Sequence, residues 1–94
     1  MFVLFVDMDV KPGAHEALKK TYTEIFRPAI SKQEGFGGVE LLRANQNDGE
    51  YRLSITFQEH ALQKRWVATD LHQEVWPRME AHFAEYTVKD YTSI

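Results

Sequence analysis

The segment from residue 39 to residue 58 constrains the fold most, because it describes a β-hairpin by itself. Apolar residues occupy every second position from Tyr51 to Phe57, with Arg, Ser and Thr between them. This alternation is typical of a strand that buries one face. The preceding Asn45–Gly49 run is rich in Asn, Asp and Gly, which supply the positive φ angles of a hairpin turn. Val39–Ala44 is then the partner strand, and the sequence predicts an antiparallel sheet.

The first ten residues predict another strand, and this one is apolar on more than one face. Every second residue from Phe2 to Val10 is apolar and shares one face. The opposite face carries Val3 and Phe5, followed by Asp7 and Asp9. The Lys11-Pro12-Gly13 run ends the strand, because proline cannot donate to a sheet and glycine permits a turn.

Two helical regions follow the first and third strands. From Ala14 to Ile30 the apolar residues recur at spacings of three and four, which predicts an amphipathic helix with a kink near Pro28. Residues 59–68 and 70–84 predict two further helical pieces, the second capped by Thr69 or Asp70. Residues 85–93 predict a last strand.

The resulting β-α-β-β-α-β order predicts an α+β, ferredoxin-like sandwich, in which two helical layers cover one face of a four-stranded antiparallel sheet. Ninety-four residues suffice for one domain, 1–94. The face left bare by the helices carries Val3 and Phe5, with Leu42 nearby in the second strand. This is more apolar than a solvated sheet face, so we expect a homodimer joined through the sheets.

The composition narrows the function classes. The net charge is −3 with acids and bases interspersed, which does not favour a nucleic-acid partner. The absence of cysteine excludes disulfides and thiolate metal sites and favours the cytoplasm. No segment has the pattern of a signal peptide or a membrane span. The four histidines lack the close spacing of a metal site, and no motif for a flavin, nicotinamide or haem cofactor is present, so we expect neither metal nor cofactor.

The stretch Phe57–Trp76 holds the candidate site. Trp66, His72 and Trp76 flank a helix break and predict an aromatic-walled pocket for a small aromatic molecule. Tyr22 and Phe26, one turn apart on the first helix, are candidates for its opposite wall. His72 is the candidate catalytic group, because an imidazole titrates near neutrality and suits proton transfer. The alternative is that the aromatic residues are plain core and that His72 is a helix-start residue bonded to backbone.

Four short runs resemble the antibiotic biosynthesis monooxygenase (ABM) domain family. They are Val10–Gly13, Gln33–Phe36, Phe57–Leu62 and Trp66–His72. The resemblance covers essentially the whole chain and implies a dimeric α+β barrel. It also implies a function among cofactor-independent oxygenation of phenols and quinols of polyketide type, haem degradation, isomerisation of metabolites, or ligand binding alone.

The resemblance makes haem degradation the least favoured of these activities. That branch of the family has an Asn on the first strand and a His further along the last helix. By spacing, Val6 and Trp76 occupy these positions here. We therefore expect a cofactor-independent monooxygenase acting on a small aromatic substrate, and the alternative is a metabolite-binding or isomerase-like protein.

Overall fold

A computed structural model describes residues 1–94. The strands are β1 (Phe2–Val10), β2 (Phe36–Arg43), β3 (Glu50–Phe57) and β4 (Phe83–Thr92). The helices are α1 (His15–Thr21), α2 (Arg27–Ser31), α3 (His60–Val67) and α4 (Asp70–Glu80), with a π-helical turn, Tyr22–Phe26, joining α1 to α2. The predicted β-α-β-β-α-β order is confirmed.

The four strands form one antiparallel sheet in the order β2-β3-β1-β4. This is the ferredoxin-like arrangement predicted from the sequence. The register places Val6 beside Leu53 on one side and Val88 on the other. Residues two positions apart along a strand share a face, so one face of β1 and β3 is almost wholly apolar and packs beneath the helices.

The core lies between this face and the helices. Its most completely buried large side chains come from every layer. They are Met8, Leu18, Phe26, Ile30, Leu53, Phe57 and Met79. Full burial of such a side chain stabilises the fold by roughly 1.5–3 kcal/mol relative to leaving it in water.

The first helical region departs from a regular helix one turn before the proline that predicted a kink. The backbone N–H of Arg27 bonds to the carbonyl of Tyr22, five residues earlier. Pro28 has no N–H and its ring crowds the preceding turn, so a locally widened turn accommodates it. The expected disturbance at Pro28 therefore takes the form of a π-helical turn, which is one of the known causes of a helix kink.

Several predicted boundaries are wrong by two to four residues. β2 begins at Phe36, where the sequence predicted residue 39, because Gly37 and Gly38 lie inside the strand at an irregularity in its register. A Cβ on Gly37 would come within 3.2 Å of the Thr56 side chain, so glycine allows this close approach. α4 ends at Glu80, where residue 84 was predicted, and β4 begins at Phe83.

The face of the sheet away from the helices carries the predicted apolar residues Val3, Phe5 and Leu42, together with Tyr91. Leu42 and Tyr91 are 45% and 51% exposed. The Arg52 guanidinium donates to both carboxylate oxygens of Asp7, at 2.6 and 3.2 Å. Arg52 therefore makes a cross-strand ion pair within the chain. None of the helices has the length and apolarity needed to cross a membrane.

Candidate active site

Four aromatic rings meet between the helices and the sheet. His72 packs edge-to-face on Trp66 with centroids 5.0 Å apart, and stacks on Trp76 at 6.2 Å. Phe26 contacts both indoles, at 6.3 and 5.8 Å. Such geometries are favourable for aromatic pairs. The structure therefore brings together four of the five residues that the sequence singled out.

These four rings line one cavity of about 150 Å³. Nine of its eleven lining residues are hydrophobic. Besides the four rings, the lining residues are Leu4, Val6, Ile55, Gln63, Val67, Tyr86 and Val88. An apolar cavity of this volume is about the size that holds one benzene ring. A few polar groups in such a wall fix the orientation of a ligand.

The break between α3 and α4 positions Trp66 and His72. The Thr69 hydroxyl donates to the carbonyl of Trp66 at 2.7 Å and accepts from the backbone N–H of His72 at 3.1 Å. One side chain thus ends α3 and caps α4, as the sequence predicted for Thr69 or Asp70. His72 and Trp76, one turn apart on α4, then share a face.

The imidazole of His72 carries a buried polar atom that lacks a hydrogen-bond partner. Its Nδ1 is buried and has no hydrogen-bond partner. Burial lowers the pKa of His72 below its ordinary value of 6.5, and the Glu80 carboxylate opposes this shift. The imidazole is therefore neutral at pH 7 and able to accept a proton. The backbone of His72, and not its ring, makes the helix-start hydrogen bond.

Tyr86 on β4 is a second polar group at the cavity, and its role was not foreseen from the sequence. Its hydroxyl donates to Glu80 at 2.7 Å. This hydrogen bond, more than burial, raises the pKa of Tyr86. Gln63, one turn before Trp66 on α3, also lines the cavity. The spacing of Gln63 from Trp66 is the one sequence signal that could have found it.

Tyr22 does not line this cavity, in contrast to the sequence-based expectation for its position. Its hydroxyl donates to the carbonyl of Val39 at 3.3 Å, and burial raises its pKa. The π-helical turn spans Tyr22 to Phe26, so these residues are not one regular helical turn apart. Tyr22 consequently packs towards β2, whereas Phe26 reaches the indoles.

The remaining histidines lie outside the cavity. His15 and Tyr51 are joined by a 3.0 Å hydrogen bond, and His82 and Thr21 by one of 2.9 Å. Both histidines are half-buried. His60 is exposed and stacks on Phe2 at 4.2 Å. No group of three or more His, Asp and Glu side chains is arranged to hold a metal ion.

The fold and cavity define a ferredoxin-like α+β domain with an aromatic-walled site. The sequence profile of the antibiotic biosynthesis monooxygenase family matches residues 1–78. The chain belongs to this family, which confirms the resemblance seen in its sequence. No curated protein sequence matches it with significance.

Solved structures show the same fold at low sequence identity. SnoaB, a cofactor-independent oxygenase from Streptomyces nogalater, is 19% identical with a TM-score of 0.84, over 99% of this chain and 93% of that one. A conserved protein from Methanosarcina mazei Go1 is 13% identical with a TM-score of 0.84, over 96% and 89%. An antibiotic biosynthesis monooxygenase is 17% identical with a TM-score of 0.82, over 100% and 99%.

Proposed function

We propose that this protein is a cofactor-independent monooxygenase that oxidises a small aromatic phenol or quinol. The observation that carries the proposal is the buried, unpartnered Nδ1 of His72 in a cavity walled by Trp66, Trp76 and Phe26. An unsatisfied buried polar atom costs roughly 1–3 kcal/mol. A ligand hydroxyl that bonds the imidazole would remove this cost. The family match and the fold shared with SnoaB support the reaction class.

In the proposed reaction His72 acts as the general base. The imidazole takes the phenol proton and becomes imidazolium, while the ring of the substrate becomes an electron-rich phenolate. The phenolate supplies the electrons that reduce O₂. A new C–O bond forms on the ring, and the C–H bond at that carbon and the O–O bond break. The second oxygen atom leaves as water, with the hydrogen lost from that carbon and the proton that His72 had taken. Phenol and O₂ thus give a quinone and water, and no further reductant is consumed.

The cavity also restricts the substrate. Its volume of about 150 Å³ suits a single ring. Tyr86 and Val88 lie on the edge strand β4 and are 39% and 51% exposed, so the cavity opens beside them. We infer that the reacting ring enters between Trp66 and Trp76, and that the rest of a polyketide-like substrate projects past β4. The apolar walls exclude water from the phenolate.

Oxygen uptake tests this proposal directly. The protein is screened against phenols and quinols, and the product is analysed after reaction under ¹⁸O₂. We expect one labelled oxygen in the quinone, no requirement for added flavin, metal or haem, and a loss of turnover of roughly 10²–10⁴-fold in His72→Gln. Substrate conversion that continues without oxygen would instead identify an isomerase. Binding without conversion would identify a metabolite-binding protein.

We further propose that the protein is a homodimer joined through the bare face of its sheet. Val3, Phe5, Leu42 and Tyr91 form an apolar patch on this face, and the helices of the same chain cannot cover it. Light scattering across a dilution series should report twice the chain mass of 11.0 kDa. A monomer at micromolar concentration would contradict the dimer without bearing on the chemistry. The cytoplasmic location expected from the lack of cysteine stays a prediction.

A further inference from the structure

The mouth of the cavity is the least enclosed part of the candidate site. At the buried end, Phe26 and Trp66 are 1% and 2% exposed. The most exposed lining residues are Val67 on α3, together with Tyr86 and Val88 on the edge strand β4. A ligand longer than one ring therefore extends out of the cavity past these three side chains.

Tyr86 is held at this mouth by contacts with α4. Its hydroxyl donates to the carboxylate of Glu80, the last residue of α4, at 2.7 Å. Its ring packs edge-to-face on Trp76, with centroids 6.0 Å apart, and on Phe83 at 5.7 Å. The side chain of Trp76 also opposes the rise in the pKa of Tyr86 that Glu80 causes, so the indole lies near the same hydroxyl. Tyr86 thus bridges the gap between β4 and α4 beside the cavity.

We propose that the hydrogen bond between Tyr86 and Glu80 is a latch that selects phenols by the number of fused rings, an inference that rests on the proposed function. A monocyclic phenol fits the cavity of about 150 Å³ with the latch closed. A phenol with a fused second ring, such as α-naphthol, extends through the mouth and displaces the ring of Tyr86. This displacement breaks the hydrogen bond to Glu80, so the latch lowers the affinity for fused-ring phenols.

The ring of Tyr86 is the part of the mouth that is able to move. It is 39% exposed, so a rotation of the side chain carries the ring into solvent without displacing a buried residue. The hydrogen bond to Glu80 is itself exposed, and water satisfies both partners once it breaks. Opening the latch therefore costs about as much as one ordinary hydrogen bond, which corresponds to about fivefold in affinity.

Glu80 also acts on His72, and two substitutions separate this effect from the latch. The Glu80 carboxylate opposes the lowering of the His72 pKa by burial. Glu80→Ala and Glu80→Gln remove the same negative charge. Glutamine keeps an oxygen that accepts a hydrogen bond from the hydroxyl of Tyr86, whereas alanine has none. The two variants therefore share one effect on His72 and differ in the latch.

The test is isothermal titration calorimetry in the absence of oxygen, with phenol and α-naphthol as probes. Without O₂ the measurement reports binding at the mouth and not chemistry at His72. The quantity compared is the ratio of the α-naphthol affinity to the phenol affinity, because effects that both ligands share cancel in it. We expect Glu80→Ala to raise this ratio about fivefold and Glu80→Gln, the matched control, to leave it close to that of the unmodified protein.

Tyr86→Phe removes the other half of the latch. It keeps a ring at the mouth but has no hydroxyl to donate to Glu80, so the ratio should rise by the same factor of about five. The double variant Tyr86→Phe, Glu80→Ala should show no further rise, because both substitutions break one and the same hydrogen bond. Thermal unfolding of each variant checks that it remains folded.

The unfavourable outcomes contradict different statements. Equal ratios in Glu80→Ala and Glu80→Gln would overturn the latch and leave the proposed oxygenase intact. Additive effects of Tyr86→Phe and Glu80→Ala would overturn the latch in the same way. An unmodified protein that binds neither phenol nor α-naphthol would contradict the proposed function and the latch together.

Discussion

Replacing His72 by phenylalanine should stabilise the protein and abolish its chemistry. The imidazole Nδ1 is buried without a partner, and this costs roughly 1–3 kcal/mol. Phenylalanine removes the polar atom but keeps a planar ring against Trp66 and Trp76, so the two aromatic contacts persist. The additional ring atom has room because His72 borders the cavity. Because that cavity gives the ring some contact with solvent, we expect the lower limit, a gain of about 1 kcal/mol in the free energy of unfolding.

The assay is equilibrium urea unfolding at pH 7.5, where the histidine is neutral, at one fixed protein concentration. For a domain of this size, 1 kcal/mol corresponds to a rise of about 4–8 °C in the melting temperature. Turnover of a phenol should fall with the roughly 10²–10⁴-fold loss typical of a missing general base. His82→Phe is the matched control. The ring of His82 is hydrogen-bonded to Thr21 at 2.9 Å, so the protein should lose stability when this histidine is replaced.

The two readouts refute different parts of the reasoning. A His72→Phe variant that loses 1 kcal/mol or more would show that the imidazole has a structural partner in solution. Unchanged oxygen uptake in that variant would show that His72 is not the base. If the loss of turnover were fully explained by a loss of folded protein, His72 would be a core residue, which is the alternative that the sequence left open.

Other residues of the site give further predictions. Trp66→Ala should cost roughly 3–5 kcal/mol because Trp66 is 2% exposed, whereas Trp66→Phe should lower the affinity for a phenol more than the melting temperature. Thr69→Ala should cost about 1 kcal/mol in urea unfolding through loss of the α4 cap, and more would show a wider role for its hydroxyl. The pKa of His72 lies below 6.5 in the folded protein, so the free energy of unfolding should fall as the pH drops from 6.5 towards this folded-state pKa. His72→Phe should flatten this stability profile. In the unmodified protein kcat/KM should fall only as the pH approaches the folded-state pKa of His72. Haem titration should give no axial-histidine Soret spectrum, because the resemblance implies that Val6 and Trp76, which both line the cavity, stand where the haem-degrading branch has its amide and imidazole.

The fold was predictable because its signals are local and agree with one another. The alternation in β3 and in one face of β1, together with the turn of Asn, Asp and Gly residues that ends at Gly49, predicts an antiparallel sheet without reference to tertiary contacts. The boundaries were less predictable. Gly37 and Gly38 indicate a turn by composition, and only the register against Thr56 shows that they continue β2.

Part of the site was predictable for the same local reason. His72 and Trp76 are four residues apart on one helix, so they share a face whatever surrounds them. The prediction that Tyr22 lines the cavity failed because it assumed 3.6 residues per helical turn. The π-helical turn before Pro28 has a different spacing. Tyr86 was missed because it reaches the cavity only through the pairing of β4 with β1, across nearly the whole chain.

The contact between Trp66 and His72 depends on the bend between α3 and α4. The two residues belong to different helices, and the bend between them is held by the one hydroxyl of Thr69, which bonds to both. A continuous helix would place positions 66 and 72 on different faces, because six residues correspond to about 600° of rotation. The break that ends α3 is therefore the feature that creates the edge-to-face contact. It also places the imidazole edge-to-face with an indole, and the buried Nδ1 is left without a hydrogen-bond partner in the chain.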